Sequence, residues 1–302
     1  MLTTTVGKIT LENPLMNASG TFGSGREYAD FYDTRLLGAV VSKSVTPRAT
    51  PGNPAPRVVE VEGGMLNAIG LQNEGLAYFR EKLLPELRRK ARTVVVNVAG
   101  KSEEDYEEVV RGLSAPELGI DALEINISCP NVKVGGMGFG TNPETAGRLV
   151  HRLRAATALP LWIKLSPNVT DITVIARAVE DAGADALVVA NTFLGMAVDI
   201  ERRRPILANV TGGMSGPAIH PLALRCVWQV CGAVKCPVIG CGGVRGVREV
   251  VAFLQAGARA VQVGMANFAE PGILPRLVDE LRAWCAAHRT SVRELIGAAR
   301  PR

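Results

Sequence analysis

Six polar residues stand where short apolar runs end, and their types suit the binding of a flat heterocycle. They are Ser19, Lys43, Asn97, Asn126, Lys164 and Asn191. An asparagine amide offers both a donor and an acceptor, which matches a ring that bears carbonyls and ring nitrogens. Any one of these side chains could instead hydrogen-bond a neighbouring loop, so the prediction of a polar binding surface depends on the whole set.

Two pairs of residues that contain glycine follow the last two apolar runs. Gly242 and Gly243 follow the letters VIGC, and Gly264 and Met265 follow AVQV. Backbone N–H groups in such turns can bind phosphate, and glycine lets the backbone approach it closely. Tight turns without a ligand are the alternative, but two pairs in register favour phosphate. The ligand could be a phosphorylated substrate or a cofactor with a phosphate tail.

Cys129 and Lys164 are the candidate catalytic residues. Cys129 lies in the glycine-rich stretch ISCPNVKVGGMGFG, directly after an apolar run. A thiol with a pKa near ~8.5 needs only moderate activation to act as a general base, although an ordinary loop cysteine would look the same. Lys164, in WIKLSPN, could form a Schiff base or place a fixed positive charge beside an electron-rich cofactor ring. Spacing alone leaves both roles open.

Four other cysteines recur at intervals of five residues, and we predict that they do not form a metal site. They are Cys226, Cys231, Cys236 and Cys241. Iron–sulfur motifs use tighter spacings. Two of the four fall in a predicted helix, one at a helix–strand junction and one at the end of a strand, so their side chains should point in different directions. The histidines show no metal-ligand spacing either.

Apolar runs alternate with amphipathic stretches along the whole sequence. Predicted strands cover 14–18, 39–43, 93–98, 122–126, 161–165, 186–190, 238–241 and 260–263. Predicted helices cover 75–90, 102–113, 143–158, 171–182, 221–232, 245–256 and 273–288. Runs of Val, Ile and Leu without alternation are typical of buried parallel strands. We therefore predict an α/β fold, a closed (β/α)8 TIM barrel that forms a single domain over residues 1–302.

The alternative fold is a doubly wound open sheet, but no G-x-G-x-x-G follows the first predicted strand. Two connections, roughly 44–75 and 191–220, are too long for plain strand–helix loops. Long loops in a compact domain are usually functional, and in a barrel the loops that follow strands lie on the active face. Ser102 and Asp171 are predicted N-caps, and Gly183 and Gly257 are predicted to end helices.

Composition narrows the class of protein. The net charge is +5 and the pI is about 9.0, but the densest basic run, Arg202–Arg204, follows Glu201, and aromatic residues make up only 5%. A nucleic-acid binder would combine a basic stripe with exposed aromatics. The N-terminus shows no charged region followed by an apolar one, and no apolar run reaches about 18 residues. We expect a cytoplasmic protein with free thiols that binds neither nucleic acid nor membrane.

The motifs together resemble the class 1 dihydroorotate dehydrogenases over about residues 13–265. The stretches that carry the resemblance are NPLMNASGTFG, SKSVTPRATPGNPAPRVVE, GGMLNAIGLQNEG, EINISCPN, KLSPNVTD, NTFLGMAVDI, GGMSGPAIHPLALR and IGCGGV. GGMLNAIGLQN looks like the NAD-linked 1B subtype. The sequence departs from the family pattern at His220, where lysine is common.

The resemblance implies an FMN cofactor and a set of contacts to it and to dihydroorotate. By motif match, FMN contacts fall on Ser19, Lys43, Ser44, Asn97, Asn126, Lys164, Ala190, Gly216, Gly242, Gly243, Gly264 and Met265. Dihydroorotate contacts fall on Lys43, Asn67, Ala68, Ile69, Gly70, Leu71, Asn126, Asn191 and Thr192. Cys129 matches the catalytic base of the family.

The implied mechanism belongs to pyrimidine biosynthesis. Cys129 would take the C5 proton of dihydroorotate, a hydride would pass from C6 to flavin N5, and Lys164 would stabilise negative charge near flavin N1. In 1B enzymes a second subunit with FAD and a 2Fe–2S cluster passes electrons to NAD, and two catalytic subunits form a homodimer within a heterotetramer. The alternatives are a fumarate-using 1A enzyme without a partner, a Schiff-base lyase on Lys164 and a non-enzymatic flavin-binding protein.

Overall fold

Parallel strands at the centre of the fold close into a barrel. The computed structural model describes residues 1–128 and 138–301. Within these ranges the barrel strands are β1 Leu15–Asn17, β2 Val40–Val41, β3 Val94–Val98, β4 Ala122–Asn126, β5 Leu161–Lys164, β6 Ala186–Val189, β7 Val238–Cys241 and β8 Ala260–Val263. They pair in the order β1-β8-β7-β6-β5-β4-β3-β2, and a parallel bridge between Met16 and Ala39 joins β1 to β2. The predicted (β/α)8 barrel is confirmed.

Helices alternate with the strands and surround the barrel. Residues 75–90 form α1, which contains a π-helical turn at Phe79–Leu83. The others are α2 Glu103–Leu113, α3 Pro143–Ala156, α4 Ile172–Asp181, α5 His220–Ala233, α6 Val247–Ala256, α7 Ala266–Ala269, α8 Ile273–Ala287 and α9 Val292–Leu295. Ser102 and Asp171 cap α2 and α4 as predicted, because each side chain accepts a hydrogen bond from a backbone N–H of the first turn.

Two apolar layers hold the barrel together. Strand side chains alternate between the inside and the outside of the sheet. The inward-facing set includes Val95, Trp162 and Ile239, and it packs with Leu11 of the N-terminal hairpin, Thr4–Val6 with Ile9–Leu11. The outward-facing set packs against the helices. The hairpin thus joins the apolar core inside the barrel, while the strand ends carry the polar side chains.

The two long connections pair with each other, which the sequence did not indicate. Their antiparallel strands Phe193–Met196, Thr211–Ser215, Gly64–Asn67 and Val58–Val61 form a sheet in that order, which we call the loop sheet. Its central pair aligns Gly213 with Asn67. The connection after β2 is therefore held in a fixed register against the connection after β6.

The cysteines occupy the positions that their spacing predicts. Cys226 and Cys231 lie on α5, Cys236 in the following connection and Cys241 at the end of β7. Burial raises the pKa of Cys231 and of Cys236 to about 12, so both are neutral thiols at physiological pH. In the described part of the chain, no helix is both long enough and apolar enough to cross a membrane.

Candidate active site

Polar side chains inside the barrel and at its mouth form one connected group, which we call the polar floor. It consists of Ser19, Asn97, Glu124, Lys164 and Gln262. Asn97, Glu124 and Gln262 are fully buried, and Lys164 is 4% exposed. Strand alternation explains the grouping, because residues two positions after the inward-facing Val95, Trp162 and Ala260 must also face inward.

Lys164 is a buried cation at the centre of the polar floor. Its Nζ lies 3.3 Å from Ser19 Oγ, 3.3 Å from Gln262 Oε1 and 3.6 Å from Glu124 Oε1. Burial lowers the pKa of the ammonium, but Glu124, through its charge and a hydrogen bond, and to a smaller extent Cys241 outweigh burial and raise the pKa above its ordinary value. Lys164 is therefore charged at physiological pH.

Glu124 and Gln262 were not predicted from the sequence as site residues. Glu124 Oε1 accepts from Asn97 Nδ2 at 2.6 Å, and Glu124 Oε2 accepts from Gln262 Nε2. Both residues lie within apolar runs, ALEIN and AVQV, that were interpreted as uniformly buried strands. A fully buried glutamate is rare unless it is paired, so a charged letter inside such a run was a usable signal.

Asn97 links the polar floor to the loops after β1 and β2. Its Nδ2 also lies 3.2 Å from Ser19 Oγ, and its Oδ1 accepts from Ser44 Oγ at 2.5 Å. Ser19, Ser44, Asn97 and Lys164 were all predicted to contact one cofactor, and the structure brings them together.

A second group of predicted residues lies around the ends of β4 and β6. Asn191 Nδ2 donates to Asn126 Oδ1 at 3.2 Å and to Ser128 Oγ, while Ser128 Oγ donates to Asn126 Oδ1 at 2.7 Å. Thr192 N donates to Asn191 Oδ1 at 2.8 Å. Ser128 was not predicted as a site residue. It directly precedes Cys129 in the sequence, and its hydrogen bonds make it part of this group.

The loop sheet connects this second group to the segment after β2. Asn67 Nδ2 lies 3.3 Å from Gly213 O, and a Cβ placed on Gly213 would lie 2.6 Å from Thr192 Cβ. Asn67 and Thr192 therefore flank the same glycine, although they were predicted from separate motifs.

The residues that follow Asn67 are held mainly through their backbone. Ala68 N donates to Arg57 O at 2.8 Å, and Ile69 O accepts from Asn53 N at 3.0 Å. Gly70 has a positive φ of 75° and Leu71 one of 59°. This predicted substrate segment, 67–71, is half-buried throughout.

Lys43 is a half-buried cation that follows β2, in the same connection as the predicted substrate segment 67–71. Burial lowers its pKa, and the nearby charge of Arg57 lowers it further. Glu27 and Glu74 raise the pKa of Lys43, but less than burial and Arg57 lower it. A half-buried ammonium beside a guanidinium could bind the carboxylate of the predicted substrate.

The predicted phosphate residues meet where α5 begins. A Cβ on Gly243 would lie 2.6 Å from His220 N, and one on Gly216 would lie 2.7 Å from Gly63 O and 3.0 Å from Met265 Sδ. Gly264 adjoins Ala18, since a Cβ on Gly264 would lie 3.5 Å from that of Ala18. The approaches at Gly243 and Gly216 leave no room for a Cβ, whereas the contact at Gly264 is an ordinary van der Waals distance. Bare-backbone turns such as the first two suit phosphate.

Gly242 and Ala190 are the two other predicted cofactor residues at this end of the site. Gly242 has a φ of 136°, which side chains rarely adopt, and its carbonyl oxygen lies 3.2 Å from His220 Nδ1. Ala190 directly follows β6 and is 2% exposed, and its N–H donates to Cys241 O at 3.0 Å. Cys129 lies in residues 129–137, outside the described residues, so its catalytic role stays a prediction.

The arrangement fits a flat cofactor that carries a phosphate and takes up negative charge. A buried cation and amides stand at one end, and turns that a Cβ would obstruct stand at the other. A second ring with polar substituents could be held by the asparagines near the loop sheet. The chemistry that such a pair supports is redox transfer between two stacked rings.

Comparison with known proteins gives a consistent family. The family model described as "Dihydroorotate dehydrogenase" matches residues 1–284. A protein of Geobacter sp. (strain M21), "Dihydroorotate dehydrogenase B (NAD(+)), catalytic subunit", is 52% identical over 294 residues, 97% of this chain and 96% of the relative. The protein of the same name from Bacteroides thetaiotaomicron is 48% identical over 298 residues, 98% of each.

A solved structure supports the fold independently. The crystal structure of dihydroorotate dehydrogenase from Eimeria tenella, in complex with ferulenol, superposes with a TM-score of 0.82 at 23% sequence identity. The match covers 99% of this chain and 89% of the other chain.

Proposed function

The chain belongs to the dihydroorotate dehydrogenase family, and we propose that it is the FMN-binding catalytic subunit of an NAD-linked oxidoreductase that converts dihydroorotate to orotate. The oxidation belongs to pyrimidine biosynthesis. The observation that carries the proposal is the buried, charged Lys164 among Ser19, Glu124 and Gln262. A fixed positive charge there stabilises a ring that gains electron density when it is reduced.

FMN, when bound, would supply the oxidising ring for the hydride that leaves dihydroorotate. The residues that would hold it are Ser19, Lys43, Ser44, Asn97, Asn126, Lys164, Ala190, Gly216, Gly242, Gly243, Gly264 and Met265. The strand-end side chains would bind and orient the ring, and the bare-backbone turns would bind the phosphate.

Dihydroorotate would be held between two asparagines at the barrel mouth, Asn126 and Asn191, and the segment 67–71 after β2. Its proposed contacts are Lys43, Asn67, Ala68, Ile69, Gly70, Leu71, Asn126, Asn191 and Thr192. Lys43 would bind the carboxylate, and the amides would bind the ring carbonyls and N–H groups. Cys129 would take the C5 proton.

The charge of Lys164 argues against the Schiff-base alternative. A lysine that attacks a carbonyl must be neutral, and its pKa must fall. Here the carboxylate of Glu124 contributes to raising the pKa of Lys164. Borohydride should therefore trap no substrate on this residue.

The electron acceptor is proposed from the relatives. Their common name calls them the catalytic subunit of an NAD-linked enzyme, which requires another subunit. We propose a partner that carries FAD and a 2Fe–2S cluster, assembled with a homodimer of this chain. Fumarate-dependent turnover by the isolated chain, with no gain in NAD reduction from such a partner, would favour the 1A alternative instead.

The decisive experiment is an anaerobic absorbance spectrum of the FMN-loaded chain before and after dihydroorotate is added. We expect the visible flavin absorbance to bleach as orotate forms, in about a 1:1 ratio. A chain that binds FMN but does not bleach would be a flavin-binding protein without this activity, and a chain that never binds FMN would end the proposal.

Cys129→Ala tests the proposed base. We expect FMN to be retained and flavin reduction at neutral pH to slow by about 10²–10⁴-fold, the usual contribution of a general base. Cys231→Ala, a matched thiol deletion on α5, should reduce at the parent rate. Stopped-flow bleaching measures both variants, and a parent-like rate in Cys129→Ala would remove Cys129 from catalysis.

A further inference from the structure

Glu124 is a fully buried carboxylate to which the assignments above give no contact with the cofactor or the substrate. We propose that Glu124 is a positioning residue, whose carboxylate aims the Lys164 ammonium and the Asn97 amide at the cofactor ring and keeps Lys164 charged. The proposal rests on the proposed function, since it concerns the same cofactor site. Three contacts carry it: Asn97 Nδ2 at 2.6 Å, Gln262 Nε2, and Lys164 Nζ at 3.6 Å.

A carboxylate differs from every other side chain of its shape because it only accepts hydrogen bonds. Both amides beside Glu124 must therefore turn their nitrogens toward it. Gln262 then presents Oε1 to Lys164 Nζ at 3.3 Å, and Asn97 presents Oδ1 to Ser44 Oγ at 2.5 Å. One negative charge thus fixes the orientation of side chains on β3, β5 and β8.

The charged and titratable groups that face Lys164 are few in the described part of the chain. Glu124 faces it from β4 and Cys241 from β7, while Gln262 on β8 and Ser19 after β1 are neutral. Burial raises the pKa of Cys241, so its thiol carries no charge at physiological pH. The positive charge of the buried Lys164 is therefore balanced by the carboxylate of Glu124.

A purely structural glutamate and a positioning glutamate differ in what happens to Lys164 when the charge is removed. Glu124→Gln keeps the shape but leaves burial as the dominant influence on Lys164, and burial lowers the pKa of an ammonium. A structural role alone predicts lower stability with an unchanged titration of Lys164. The titration of this lysine is therefore the discriminating measurement.

The test is a pH titration of the full FMN-free chain, with lysines labelled with ¹³C at Cε and followed by NMR. The Lys164 signal is assigned by its loss in Lys164→Met. We expect Lys164 of the parent to titrate no lower than an ordinary lysine, near ~10.4. In Glu124→Gln it should titrate at least about one pH unit below the parent value. The same titration in both chains would overturn the proposal.

Glu124→Asp provides a second route if Glu124→Gln does not fold. It keeps the charge but moves it further from Nζ, so Lys164 should titrate at a lower pH than in the parent, by a smaller shift. An unchanged titration in that variant would then overturn the proposal. The measurement needs neither FMN nor dihydroorotate, so a chain that fails to bind FMN would end the proposed function and leave this test intact.

FMN retention supplies a second readout. As pH rises, Glu124→Gln should lose FMN at a lower pH than the parent, because Lys164 loses its proton earlier in the variant. Equilibrium dialysis followed by flavin fluorescence measures the retained fraction. Parallel pH profiles for the two proteins would contradict a role of Glu124 in holding the charge of Lys164.

Discussion

The polar floor and the loop sheet serve the same site but are built in opposite ways. The polar floor consists of side chains on barrel strands and the adjoining loop, and three of its five members are fully buried. The loop sheet consists of segments outside the barrel, joined by backbone hydrogen bonds and glycines, with large side chains such as Leu194 exposed. Buried charge determines how the polar floor acts on a bound ligand. Close backbone approach determines the shape of the loop sheet.

This difference separates two functions that one site must combine. A buried ion pair has a strong effect on its neighbours because the surroundings screen it weakly. It therefore suits the tuning of a bound ring. The backbone register of the loop sheet fixes the positions of the residues that face the substrate. A rigid backbone of this kind is suited to forming a substrate pocket. Substitutions in the polar floor should change cofactor binding and stability, and those in the loop sheet should change substrate affinity.

The largest expected effect is that of Lys164→Met, in the polar floor. It leaves Glu124 as an unpaired buried charge, so we expect a loss of about 3–5 kcal/mol in the free energy of unfolding. FMN retention should fall with it. Chemical denaturation and bound-flavin absorbance measure the two effects.

Lys235→Met is the matched control, because Lys235 is exposed in the connection before β7. It should change stability by less than about 0.5 kcal/mol. If Lys164→Met resembled this control in both stability and FMN content, the polar floor would not act through its buried charge.

The sequence predicted much of the polar floor. Ser19, Asn97 and Lys164 follow apolar runs, and a barrel brings the ends of its strands together at one mouth. Glu124 and Gln262 were not predicted, because they lie inside runs that were interpreted as uniformly buried. Applying strand alternation to those runs would have placed both residues inside the barrel beside Lys164.

The loop sheet could be predicted only as two long connections with a function. Asn67 and Gly213 are 146 residues apart, and nothing local in either segment indicates their pairing. Antiparallel register between distant segments is decided by tertiary packing. The proposed substrate contacts in these segments accordingly came from the family resemblance, whereas the strand-end contacts had their own physical argument.

Gly213→Ala should have the next largest effect, and it should fall on substrate affinity alone. The added Cβ would stand 2.6 Å from Thr192 Cβ, so Thr192 must move. We expect the KM for dihydroorotate to rise about tenfold, equivalent to about 1.4 kcal/mol. FMN content should not change.

Gly272→Ala is the control for this glycine, since no described atom lies within 4 Å of the added Cβ. Its KM should equal that of the parent. Loss of FMN from Gly213→Ala would show that the loop sheet also supports the cofactor, and the division between the two regions would fail.

Lys43 should give the smallest effect, a dependence of substrate affinity on pH. Burial and the charge of Arg57 lower its pKa, so in the folded chain it loses its proton at a lower pH than a free lysine. The protonated form therefore costs stability at neutral pH, and this cost disappears as pH rises from the folded toward the unfolded pKa. Affinity for the dihydroorotate carboxylate moves the other way, because the charge that binds it is lost.

Steady-state kinetics between pH 7 and 10 should therefore show the KM of the parent rising with pH. Lys43→Arg, whose guanidinium stays charged, should flatten that rise. The exposed Lys101→Arg should leave it unchanged. A rise that persists in Lys43→Arg would assign the titrating group elsewhere. Because Lys43 is half-buried and lies outside the barrel strands, its charge is screened more strongly than that of Lys164, and we expect the smaller effect from Lys43.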